Sequence, residues 1–65
     1  MILLGPGDTH PIVGAVARRL GSYPADDMFS DELASRVRGA QMKLGLEVNG
    51  LIDDELIDAL LIPRI

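Results

Sequence analysis

The sequence predicts an all-α fold, a small three-helix bundle with an internal pseudo-repeat. Apolar residues recur at helical spacing in three separate stretches, and turns rich in Gly, Pro and Asn divide those stretches. Residues 26–37 also align without a gap against residues 49–60, matching turn with turn, apolar with apolar, and Asp-Glu-Leu with Asp-Glu-Leu.

The first helix follows a turn at Gly5-Pro6-Gly7-Asp8, with Asp8 or Thr9 as a suitable cap and Pro11 where a first helical turn tolerates proline. Ile12, Val13, Val16 and Leu20 then fall on one side, Arg18 and Arg19 point outward near the negative end of the helix, and Gly21 closes it. Met1 to Leu4 is apolar and predicts a short strand or extended lead-in lying over the core. Pro24 keeps the loop from 22 to 27 out of the helix.

The second helix is expected over residues 31–44, burying Leu33, Val37, Ala40 and Leu44. Gly39 inside it suggests that another backbone comes close. Gly45 is placed to end the helix in the left-handed conformation, with Leu46 folding back. Asn49-Gly50 marks the next turn, and the third helix is expected over 54–61 on Leu56, Ile57, Leu60 and Leu61, stopped by Pro63. The apolar tail of Leu61, Ile62 and Ile65 either covers the core or offers a docking edge.

Within the repeat, Ser30 and Asp53 can accept hydrogen bonds from the open amides of a first helical turn, and Asp31-Glu32 and Asp54-Glu55 set negative charge at its positive end. Met28-Phe29 and Leu51-Ile52, just upstream, are placed to pack down on the buried stripe and fix the angle at which the chain joins each helix.

Composition narrows the function. Sixty-five residues make one domain, 1–65, near the lower limit for a single unstapled core. The chain is 48% hydrophobic but only 3% aromatic, so that core is aliphatic. A net charge of -4 argues against general nucleic-acid or anionic-membrane binding. No apolar run approaches the ~20 residues needed to span a bilayer, so no membrane insertion is expected, and the N-terminus lacks the pattern of a signal peptide. Localisation stays open. Arg18, Arg19, Arg36, Arg38 and Lys43 lie in the first two thirds, while 47–58 holds five acids and no base, so one end could meet carboxylates.

Catalysis has little to work with. A single histidine and no cysteine exclude the usual protein zinc site, and no cofactor motif is present. His10 reads as a surface residue at a helix start. Asp26, Asp27, Asp31 and Glu32 lack the pattern of a helix-loop-helix calcium site and read as turn and cap chemistry. No serine sits in a nucleophile elbow, so the chain is not expected to be an enzyme or to hold a metal.

A family likeness covers nearly the whole chain. Gly7-Asp8-x-x-Pro11-x-Val13-x-x-Val16-x-x-x-Leu20-Gly21-x-Tyr23, Asp26-x-x-Phe29, Ala34-x-x-Val37-x-x-x-Gln41, Gly45-Leu46-x-Val48-Asn49-Gly50 and Ala59-Leu60 resemble the type-1 family of peptidoglycan-binding domains. That resemblance implies a three-helix module with a pseudo-repeat, commonly attached to bacterial or phage cell-wall hydrolases. The chain departs from the family pattern where Asp27, Ser30 and Asp53 stand for glycines, Leu33 and Leu56 for threonines, Ala17 for glutamine and Ala40 for phenylalanine.

The resemblance implies a non-catalytic cell-wall module with its ligand groove near the first half. Tyr23 would then be a flat platform, and Arg18, Arg38 and Lys43 partners for stem-peptide carboxylates. Gln41 could bond a ligand or, equally by its place on the second helix, a structural loop. The alternative from another class is a protein-interaction or inhibitory module that keeps the fold and has lost glycan binding. Ala40, Leu33, Leu56, the acidic third helix and the apolar tail motivate it.

Overall fold

The computed structural model describes residues 1–22 and 26–63. Tyr23, Pro24, Ala25, Arg64 and Ile65 lie outside the described residues. The chain runs β1 (Leu3–Leu4), α1 (Pro11–Leu20), α2 (Asp31–Leu44), β2 (Ile52–Asp53) and α3 (Asp54–Ala59). It is thus mainly helical, with one small antiparallel strand pair among the described residues: β1 is the short strand expected within Met1 to Leu4, and its partner β2 is what the all-α expectation did not include.

The strand pair follows from how the helices begin. Ser30 and Asp53 are the N-caps of α2 and α3, and each holds the extended backbone that a cap requires. Ser30 Oγ accepts from the Leu33 N–H at 3.1 Å, and Asp53 Oδ1 accepts from the Leu56 N–H at 2.9 Å. An extended segment leaves its own backbone groups to be paired. For β2 that partner is β1, with Leu3 opposite Asp53 and Leu4 opposite Ile52. Before α2 the partner is residues 7–10: the Gly7 N–H donates to Phe29 O, the Phe29 N–H to Asp8 O, and the His10 N–H to Asp27 O, all within 2.9–3.0 Å.

The cap of α1 is neither Asp8 nor Thr9. His10 takes that place, its Nδ1 accepting from the Ile12 N–H at 3.0 Å, with Pro11 following as the first helical residue. Asp8 instead closes its own turn by accepting from the Gly5 N–H at 2.8 Å.

The core is built from Ile12, Val13, Val16 and Ala17 of α1, Phe29, Leu33, Ala34 and Val37 around α2, and Ile52, Leu56, Ile57 and Leu60 around α3. Phe29 and Ile52 are buried just upstream of their caps, while Met28 is exposed and Leu51 half-buried. On α2 the buried stripe is Leu33, Ala34, Val37 and Gln41; Ala40 is only half-buried and Leu44 is exposed, because the buried face runs on from Val37 to Gln41 at a spacing of four.

The expectation for Gly39 changes as well. A Cβ on Gly39 would meet nothing within 4 Å, so no backbone approaches there. The close approach is at Gly14 on α1, where a Cβ would stand 2.8 Å from Asp27 Oδ1 and 3.4 Å from the Asp26 carbonyl.

All three helices end in the same pair of bonds. The Gly21 N–H donates to Arg18 O and the Ser22 N–H to Ala17 O; Gly45 and Leu46 repeat the pattern onto Met42 and Gln41, and Leu61 and Ile62 onto Asp58 and Ile57. The residue at the turn is left-handed each time, with φ near 74° at Gly21 and Gly45 and 59° at Leu61. Leu61 therefore leaves α3, which closes at Ala59 with Leu60 as cap, instead of extending it as expected.

Candidate functional site

Two shallow grooves meet along the outer side of α1. One is lined by Ala15, Arg18, Arg19, Leu60, Leu61, Ile62 and Pro63, the other by Ile2, His10, Pro11, Ile12, Ala15, Arg18 and Pro63. They share Ala15, Arg18 and Pro63 and so form one continuous surface, with Arg18 at its middle.

The sequence builds this surface from three places. Pro11, Ala15 and Arg18 recur at helical spacing, on the side of α1 turned away from Val13 and Ala17. Residues 60–63 lie alongside because Arg19 Nε donates to the Leu60 carbonyl at 3.1 Å. That bond also sets a cation at the carbonyl end of α3, which has no basic residue in its own last turn. Ile2 is held near by its N–H donating to Asp54 Oδ2 at 3.2 Å.

The result is an apolar trough bordered by cationic groups. Ile2, Ile12, Ala15, Leu60, Ile62 and Pro63 give it hydrocarbon walls, and the exposed Arg18 and Arg19 side chains give it positive charge. Asp27 Oδ1 and Arg18 Nη1 both border the Cβ position of Gly14, at 2.8 and 3.6 Å. Such a surface suits a ligand that combines a carboxylate with small apolar groups.

Of the residues expected to form a site, Arg18 lies in this trough. Arg38 lies elsewhere: its Nη2 donates to Ser35 Oγ at 3.0 Å, and its side chain covers Gly50, whose Cβ position is 3.1 Å from Nη1. Lys43 is exposed near the end of α2. Five residues apart on a helix, Arg38 and Lys43 point about 140° away from each other. Tyr23 falls outside the described residues.

Gln41 makes the structural bonds. It is 1% exposed, and its amide is fully used within the chain. Nε2 donates to Asn49 Oδ1 at 2.9 Å and to the Leu51 carbonyl at 3.1 Å, while Oε1 accepts from the Asn49 N–H at 3.1 Å and the Gly50 N–H at 3.0 Å. Two donors and two acceptors exhaust a glutamine side chain, so nothing remains for a ligand.

Residues such as Ile2, Ala15 and Leu60 to Pro63 were not expected to meet at one place. The available signal was the apolar tail and its docking edge; that α1 faces it depends on Arg19 reaching across the chain to Leu60.

No group of three or more metal-ligating side chains is arranged to hold an ion among the described residues. No described helix is long and apolar enough to cross a membrane.

A short helical chain that presents an open, cation-bordered trough fits the class of small binding domains. A family model described as "Putative peptidoglycan binding domain" matches residues 18–60, about two thirds of the chain. The chain belongs to that family. No curated protein and no solved structure gives a match. The matched region contains Arg18, Arg19 and Leu60 but leaves out the first turns of α1 that complete the trough.

Proposed function

We propose that this chain is a non-catalytic module that binds the bacterial cell wall, carrying itself or an attached lytic enzyme to peptidoglycan. The trough along α1 is its contact surface. Arg18 pairs with a stem-peptide carboxylate, and the walls of Ile12, Ala15 and Pro63 take up the neighbouring methyl groups and sugar faces. The observation that carries this reading is an exposed guanidinium set between apolar walls, in a chain of the peptidoglycan-binding family. In this reading 26–37 and 49–60 are two copies of one unit. Their like caps at Ser30 and Asp53 and like buried residues at Phe29 and Ile52 support that.

Co-sedimentation with purified sacculi tests the proposal. The folded chain is expected in the pellet at low salt. Arg18→Glu is expected to weaken retention roughly fivefold, the equivalent of about 1 kcal/mol for an exposed charge-assisted contact. Arg36→Glu, exposed on α2 and outside the trough, is expected to leave retention unchanged. A folded chain that stays wholly in the supernatant would overturn it.

A second reading, a protein-interaction or inhibitory module, is favoured by Leu61, which is 82% exposed and held left-handed at the rim of the trough. Charge reversal at the exposed Glu55 is the clean probe of an acidic interface on α3, since Asp54 has structural partners. Capture of a defined protein, weakened by Glu55→Lys and without sacculus binding, would favour this reading over the first.

A further inference from the structure

Asn49-Gly50 has the makings of a self-modifying pair. A glycine after asparagine has no side chain to hinder attack, so its backbone nitrogen can close a five-membered ring onto the asparagine Cγ. In that step the Gly50 nitrogen loses its proton and bonds to Asn49 Cγ, the Cγ–Nδ2 bond breaks, and Nδ2 departs as ammonia. Water then opens the cyclic imide at either carbonyl, leaving aspartate or isoaspartate. One water is consumed for one ammonia released, and nothing is oxidised or reduced.

The fold obstructs each part of this sequence. The Gly50 N–H is bonded to Gln41 Oε1 at 3.0 Å in a buried setting, so a solvent base cannot reach the proton that must leave. Asn49 Oδ1 is fixed between the Gln41 Nε2 and Leu51 N–H donors, both at 2.9 Å, which holds the amide plane in place. Gly50 is itself buried beneath the Arg38 side chain, at a φ of 75°.

We propose that Asn49 is a latent deamidation site and that Gln41 is the residue that keeps it closed. Its substrates are its own side-chain amide, the next backbone nitrogen and water. The reaction proceeds only when the 49–51 loop leaves Gln41. An isoaspartate there lengthens the backbone between residues 49 and 50, two residues before the fully buried Ile52, so one local opening is converted into a permanent fault beside the core.

The test follows conversion at Asn49 in the full chain at mildly alkaline pH, by peptide mass and isoaspartate labelling. The native chain is expected to react at least about tenfold more slowly than the same chain in denaturing urea, because reaction waits on local opening. Gln41→Met, shown folded by circular dichroism, is expected to recover most of that difference. Equal rates in native and denatured chains, or a folded Gln41→Met as slow as the parent, would overturn the proposal. Should that variant not fold, hydrogen exchange at the Gly50 amide of the parent chain decides. Exchange and deamidation are expected to rise together through sub-denaturing urea, and deamidation rising without that exchange would overturn it.

Discussion

Replacing Gln41 with methionine keeps the length and most of the volume of a fully buried side chain while removing both polar ends, so packing loss stays small and hydrogen bonding is isolated. Four bonds disappear: two from the amide nitrogen to Asn49 and Leu51, and two to the carbonyl oxygen from the Asn49 and Gly50 amides. They do not weigh equally. The bond from Gly50 is buried, so its orphaned N–H bears the full desolvation cost of about 1–3 kcal/mol. The other three are part-buried and can partly turn to water, adding about 1 kcal/mol together. The expected loss is about 2–4 kcal/mol. A domain of this length has roughly 3–10 kcal/mol in total, so the variant sits close to its folding threshold. Urea unfolding followed by circular dichroism measures it, with a lower midpoint and an unchanged slope. A loss under about 1 kcal/mol would refute the reasoning, since the loop would then satisfy its amides without help from α2.

Gly39→Ala is expected to stabilise by about 1 kcal/mol and raise the melting temperature by roughly 4–8 °C, because the position is exposed, mid-helical and open around the missing Cβ. Ser30→Ala is expected to cost about 1 kcal/mol in urea unfolding by leaving the Leu33 N–H without its cap, and Ser30→Asp is expected to recover it as Asp53 does for α3. Leu61→Gly is expected to gain up to about 1 kcal/mol, the relief of a left-handed leucine less the entropy of a glycine. The same variant is expected to lower sacculus retention, because it strips the rim of the trough.

The elements legible in the sequence are those with local signals. Pro11, Gly21, Ser30 and Gly45 each act within a few residues of themselves, and α1 and α2 begin and end where these residues direct. What escaped depends on partners far along the chain. The structural bond from Gln41 to a loop was legible from its place on α2, but its core position, which helical spacing assigns to Ala40 and Leu44, was not, because that burial depends on the four polar partners that residues 49–51 supply. The N-terminal pairing is of the same kind, since β1 finds β2 across almost the length of the chain. The exposure of Arg18 near the end of α1 was legible because it is a local feature. That Arg38 and Lys43 stand apart from it required the placement of α2 against the 49–51 loop.

The trough itself depends on where α3 stops. Were that helix to continue, Leu61 would lie one turn beyond Ile57 and share its buried face. The left-handed turn at Leu61 prevents this: it swings the leucine outward, returns Ile62 to the core, and lays Pro63 beside Ala15 and Arg18. Glycine makes the same turn after α1 and α2 without strain, so a leucine here raises the cost of the turn by about 1–2 kcal/mol relative to a relaxed conformation. In return the trough has an apolar side chain, 82% exposed, among the residues that line it with Arg18. Under the proposed function, strain retained beside this open surface serves what the surface binds, so the Leu61→Gly variant is expected to become more stable and bind less.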